Sequence, residues 1–86
     1  MTKATVTVKN KTGLHARPAA QFATLSKTFT SDISLIANDK EVNPKSVIKL
    51  LSADIRQGAT IVLSADGPDE ELAVKELVTF IEGLDE

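Results

Sequence analysis

The stretch Lys11-Thr12-Gly13-Leu14-His15-Ala16-Arg17-Pro18 holds the only histidine of the chain, with an arginine two residues on and a proline after it. A neutral imidazole is a nucleophile, and a guanidinium offers a planar fork of donors suited to phosphate. Pro18 fixes its own φ and lacks an N–H, so it suits the first turn of a helix. Ala19 to Lys27 continue as that helix, which puts His15 at or just before its N-terminus. Unpaired N–H groups and the positive end of the helix dipole favour anions there. Gly13 lets the backbone turn tightly just upstream. The pattern therefore points to phosphoryl transfer through His15. The helix end and Arg17 disfavour an imidazolium before transfer, and the same donors meet the phosphoryl group afterwards. The plainer alternative is a surface or capping histidine in a small structural domain.

Composition narrows the other possibilities. At 86 residues the chain is expected to be one domain, 1–86. A chain of this size buries only roughly 60–65% of its unfolded surface. The apolar fraction is 42% and the charged fraction 26%, values of a soluble globular protein. With three Phe and no Trp or Tyr, the core must be aliphatic. Net charge is −2, with no basic run and no aromatic interleaving, which argues against nucleic acid. Without cysteine, and with one histidine, neither a thiolate nor a multi-histidine metal site is available. No cofactor is expected. The first residues lack the apolar core of a signal peptide, and no apolar run nears the ~20 residues of a membrane span, so a cytoplasmic protein is expected.

The elements that must position His15 follow from hydrophobic period. Ala4 to Lys9 alternate as a strand with Ala4, Val6 and Val8 inward. A helix follows from Ala16 or Arg17 to Thr28, burying Ala19, Phe22, Ala23 and Ser26, with Phe29 extending the stripe. Asp32 to Ala37 form a second strand; Asn38-Asp39-Lys40 has turn chemistry, and Glu41 to Asn43 return as a short strand. Pro44 ends that strand, and Ser46 caps a short helix, Val47 to Ser52. Six residues cannot bury four aliphatics on one stripe, so one or two should face solvent as a partner surface. Ala59 to Ala65 form the longest strand, with Ile61, Leu63 and Ala65 inward. The last helix starts near Pro68-Asp69-Glu70, with the proline in its first turn, carries Ala73, Val74, Leu77, Val78 and Ile81 as a wide apolar stripe, and ends at Gly83. The order βαββαβα predicts an α+β domain whose antiparallel sheet has helices on one face.

The run Thr12-Gly13-Leu14-His15-Ala16-Arg17-Pro18-Ala19-Ala20 resembles the active-site signature of HPr, the histidine-containing phosphocarrier of the bacterial phosphoenolpyruvate:sugar phosphotransferase system. The likeness spans essentially the whole chain and includes Val42-Asn43-Pro44-Lys45-Ser46. It implies an open-faced β-sandwich with a four-stranded antiparallel sheet. It also implies that His15 accepts the phosphoryl group on Nδ1, assisted by Arg17. Enzyme I would be the donor and enzyme IIA domains of sugar permeases the acceptors, with the protein a covalent carrier rather than a stand-alone enzyme. A docking surface is expected around Ala20, Gln21, Val47, Ile48 and Leu51. Ser46 matches a regulatory phosphorylation site of low-GC Gram-positive relatives, served by a serine kinase/phosphorylase and read by a catabolite-control transcription factor. The second reading is a regulatory binding module of the same fold acting through Ser46 alone. A small carrier visiting several partners is expected to be a monomer. Two departures stand out: Val47-Ile48-Lys49 replaces the usual Ile-Met-Gly, and Asp54 stands where glycine is common.

Overall fold

The computed structural model describes residues 1–84. Its elements are β1 (Thr2–Thr7), α1 (Ala16–Lys27), β2 (Asp32–Ala37), β3 (Lys40–Val42), α2 (Val47–Ser52), β4 (Thr60–Asp66) and α3 (Glu70–Glu82). The strands form one antiparallel sheet in the order β1-β4-β2-β3. β4, the last strand in sequence, thus inserts between β1 and β2. α3 packs over β1 and β4, and α1 packs against α2 and α3.

Register explains the faces. Val6 pairs with Ile61, Leu35 with Leu63 and Ile33 with Ala65, and all six are buried on the helix side. The opposite face carries Thr5, Ser34 and Ser64, and the last two share a hydroxyl–hydroxyl hydrogen bond of 2.7 Å. Phe22, Ala19 and Ala23 of α1 and Ala73, Leu77 and Ile81 of α3 close the core, with Leu50 of α2. The sheet with helices on one face is the open-faced sandwich expected from sequence.

Several boundaries differ from the sequence reading; β4 runs Thr60–Asp66 rather than Ala59 to Ala65, and α1 ends at Lys27 with Thr28 as its C-cap. β1 runs Thr2–Thr7 rather than Ala4 to Lys9, because its ladder with β4 ends at the pair Thr7–Thr60. Val8 is nonetheless buried and its N–H donates to Ala59 O at 2.8 Å. β3 begins at Lys40, because Asn38 and Asp39 both take positive φ (52° and 63°) and make a two-residue hairpin turn. Pro68 lies outside the first turn of α3, because Asp69 is the N-cap residue and makes no side-chain cap. The Asp69 carboxylate instead accepts from the N–H groups of Thr30 and Ser31 at 3.0 Å each, and from the Ser31 hydroxyl.

These carboxylates make the fold acid-sensitive. Glu70 accepts from the Thr2 hydroxyl at 2.6 Å, from the Met1 ammonium at 3.0 Å and from the Gly67 N–H at 3.2 Å. The hydroxyl, the ammonium and the amide hold its carboxyl down to about 2 from the ordinary 4.5. The Ser31 hydroxyl and Thr30 amide hold Asp69 below its usual range. Both groups bind protons more readily when unfolded, so their contribution is present above the ordinary carboxylate range and is lost as pH falls. The melting temperature should therefore decline as pH drops from about 4.5 towards about 2, and Glu70→Gln should flatten that decline. An unchanged slope in Glu70→Gln would show that other groups set the acid limit.

Candidate functional site

Residues 8–15 and 53–59 form the platform under His15. Gly58 N–H donates to Val8 O at 2.7 Å and Leu14 N–H to Ile55 O at 2.9 Å. Gly13 N–H donates to Asn10 O at 3.2 Å, and Asn10 Nδ2 donates back to Gly13 O at 2.8 Å. Gly13 has φ +62°, and a Cβ there would stand 2.5 Å from Ile55 O and 2.7 Å from Arg56 Cα. Only glycine fits this turn without moving the backbone. Leu14 then anchors the loop in the core.

His15 is the N-cap residue of α1, with extended backbone (φ −81°, ψ −169°). Its carbonyl accepts the Ala19 N–H at 2.9 Å, while its side chain makes no capping hydrogen bond to the helix. The helix offers no acceptor to the first-turn amides of Ala16 and Arg17, and Pro18 has no N–H to contribute. The ring is half-buried, and its Nε2 atom is buried. Arg17 is exposed at the second position of α1.

His15 borders a hollow of about 410 Å³, shared with Lys11, Thr12, Leu51, Asp54, Ile55 and Arg56; Arg17 does not line it. Of the docking residues expected from sequence, Leu51 therefore meets His15 directly in this hollow. Ala20 and Gln21 line another hollow, with Leu25 of α1 and Phe80 of α3. On α2, Leu50 is buried and Val47 half-buried, whereas Ile48 is 80% exposed and Leu51 43%. Ser46 is the N-cap of α2; its hydroxyl accepts the Lys49 N–H at 3.4 Å. The turn before it is fixed by Lys45, whose Nζ donates to Phe29 O and Ser31 O at 3.2 Å each.

The sequence reading gave no site role to Ile55 or Arg56. They lie some forty positions downstream of His15 and reach it only through the pairing of two loops, which has no local signature. The one available cue was Asp54, a residue where glycine is common. Asp54 has φ 54°, a left-handed conformation that non-glycine residues adopt at a cost. Its carboxylate accepts from Arg56 Nε at 2.9 Å. Among the described residues, no group of three or more His, Cys, Asp or Glu could hold a metal ion.

This arrangement has close counterparts. The family model described as "PTS HPr component phosphorylation site" matches residues 2–83. The chain belongs to the HPr family. Similar proteins include the phosphocarrier protein HPr of Buchnera aphidicola, 48% identical over 85% of this chain and 86% of that one. The HPr-like protein Crh of Halalkalibacterium halodurans is 46% identical over 95% and 98%. An HPr crystal structure from Thermoanaerobacter tengcongensis superposes with a TM-score of 0.91 at 48% identity, over 95% of this chain and 92% of that one. As a family member the protein is a phosphocarrier of the phosphotransferase system and not a stand-alone enzyme. No helix among the described residues is long and apolar enough to cross a membrane.

Proposed function

We propose that His15 accepts a phosphoryl group from enzyme I, drawn originally from phosphoenolpyruvate, and passes it to enzyme IIA domains of sugar permeases. The observation that carries this reading is the N-cap position of His15 at the N-terminus of α1, on the rim of a hollow at the protein surface. A nitrogen lone pair of the ring forms a P–N bond as the donor's bond to phosphorus breaks. Burial of Nε2 favours Nδ1 as the acceptor. The first-turn amides of α1 and the Arg17 guanidinium then face a dianion at the positive end of the helix. Incubation with phosphoenolpyruvate and catalytic enzyme I should add one acid-labile phosphoryl group, read by intact mass. A protein that stays unmodified is no carrier. We further read residues 1–86 as a single domain, monomeric and cytoplasmic, which light scattering and fractionation would test.

Docking falls to α2 beside the hollow. Ile48, exposed at 80%, contributes little to the core, so Ile48→Glu should melt within about 0.5 kcal/mol of wild type while slowing transfer from enzyme I. Unfolding of that variant, or an unchanged transfer rate, would remove Ile48 from the docking surface.

A second reading, regulation through Ser46, is favoured by likeness to Crh and by the position of this hydroxyl at the start of α2. A serine kinase would add ≈ −1.5 to −2 charge there, beside the docking surface and within reach of Lys49. The 3.4 Å cap is long, so Ser46→Ala should cost about 0.5–1 kcal/mol in a denaturant melt. Ser46→Asp keeps a capping carboxylate and should melt at or above wild type, yet accept phosphate more slowly. Wild-type acceptance in Ser46→Asp would leave Ser46 as a cap alone.

A further inference from the structure

Two cations line the hollow at His15, Lys11 and Arg56. Arg56 lines it from the loop after α2, whereas Arg17, on α1, is not among the residues that line it. The backbone beneath Arg56 is fixed against the histidine loop: Leu14 N–H donates to Ile55 O at 2.9 Å, and Gly13 packs so closely that a Cβ would stand 2.7 Å from Arg56 Cα. Asp54, in its left-handed conformation, takes Arg56 Nε at 2.9 Å. This contact restrains the side chain through one nitrogen and leaves the two terminal nitrogens of the fork for another acceptor. The side chain is otherwise 80% exposed, so its charge is not consumed by the core.

A phosphoryl group on His15 brings close to two negative charges, and one guanidinium matches only part of that. We propose that Arg56 is a second phosphoryl-binding residue of this carrier, held beside His15 by Asp54 and stabilising the phosphorylated form in addition to Arg17. This inference rests on phosphorylation at His15. It assigns Arg56 to the charged product rather than to the fold or to partner docking. Asp54 doubles as a place-holder: it restrains Arg56 while the site is empty and repels the incoming dianion less when its charge is paired.

The test separates product stabilisation from docking by measuring an equilibrium. Wild type, Arg56→Gln and Arg56→Lys are incubated with catalytic enzyme I at a fixed ratio of phosphoenolpyruvate to pyruvate, low enough to leave unphosphorylated protein. The ratio of phosphorylated to free carrier is read by intact mass. Enzyme I affinity alters how fast this ratio is reached but not its value. Arg56→Gln should lower it about two- to five-fold, the range of an exposed ion pair, and Arg56→Lys should restore most of the loss. Phosphorus-31 NMR gives an independent reading. A nearby cation favours the dianionic phosphoryl group, so the second ionisation should move to higher pH in Arg56→Gln. An unchanged ratio and an unchanged titration in Arg56→Gln, with wild type phosphorylated on His15, would overturn the inference. A wild-type protein that takes no phosphoryl group on His15 would overturn the reading beneath it, and this one with it.

Discussion

His15→Ala should gain no phosphoryl group from phosphoenolpyruvate and enzyme I, a loss of the whole signal rather than a slowing. The chain contains no other histidine and no cysteine, so no second side chain of comparable nucleophilicity can take over. The fold should survive. The side chain of His15 makes no capping bond to α1, while its carbonyl, which an alanine keeps, still accepts from Ala19. Melting within about 1 kcal/mol of wild type is expected, because the ring is only half-buried. Acid-labile label retained by His15→Ala would place the chemistry elsewhere.

Gly13→Ala should be the most damaging single-methyl change in the loop. The left-handed φ of +62° costs an alanine roughly 1–2 kcal/mol. The added Cβ also meets backbone at 2.5–2.9 Å, from Ile55 and Arg56, which cannot rotate away as a side chain tip could. Together these give an expected destabilisation of roughly 2–4 kcal/mol in denaturant melts. The loss should extend to transfer in whatever fraction stays folded, because relief of the clash separates the two loops whose contact forms the hollow under His15. A variant as stable as wild type would mean that the two loops can part without penalty.

Much of this was legible in advance because the carriers of the fold are periodic. Ile61, Leu63 and Ala65 alternate and are all buried; Ala19, Phe22, Ala23 and Ser26 recur at helical spacing and are all buried. Ser46 could be placed as a cap because a cap is a local device. The boundaries that shifted were set by distant partners. β1 stops where β4 stops pairing with it, and Asp69 abandons its own helix because Thr30 and Ser31 lie close by. His15, Arg17 and Pro18 stand side by side in sequence and so announce the site. The wall opposite, Asp54 to Arg56, is joined to it only by loop pairing, and nothing within those residues says which loop they will meet. The surplus of aliphatics on α2 was readable, but that Ile48 and Leu51 are the exposed pair depends on which side of α2 faces α1.

The strand order has a consequence in time. Thr2 pairs with Ala65 and Thr7 with Thr60, so β1 has no ladder until β4, some sixty residues later, has been made. β2 and β3 form a local hairpin and can assemble early; β1 must wait, because loop closure over so many residues precedes any reward from pairing. The two loops beneath His15 straddle the same interval and close only with that late event. The hollow beside His15 is therefore completed only after β4 has been made.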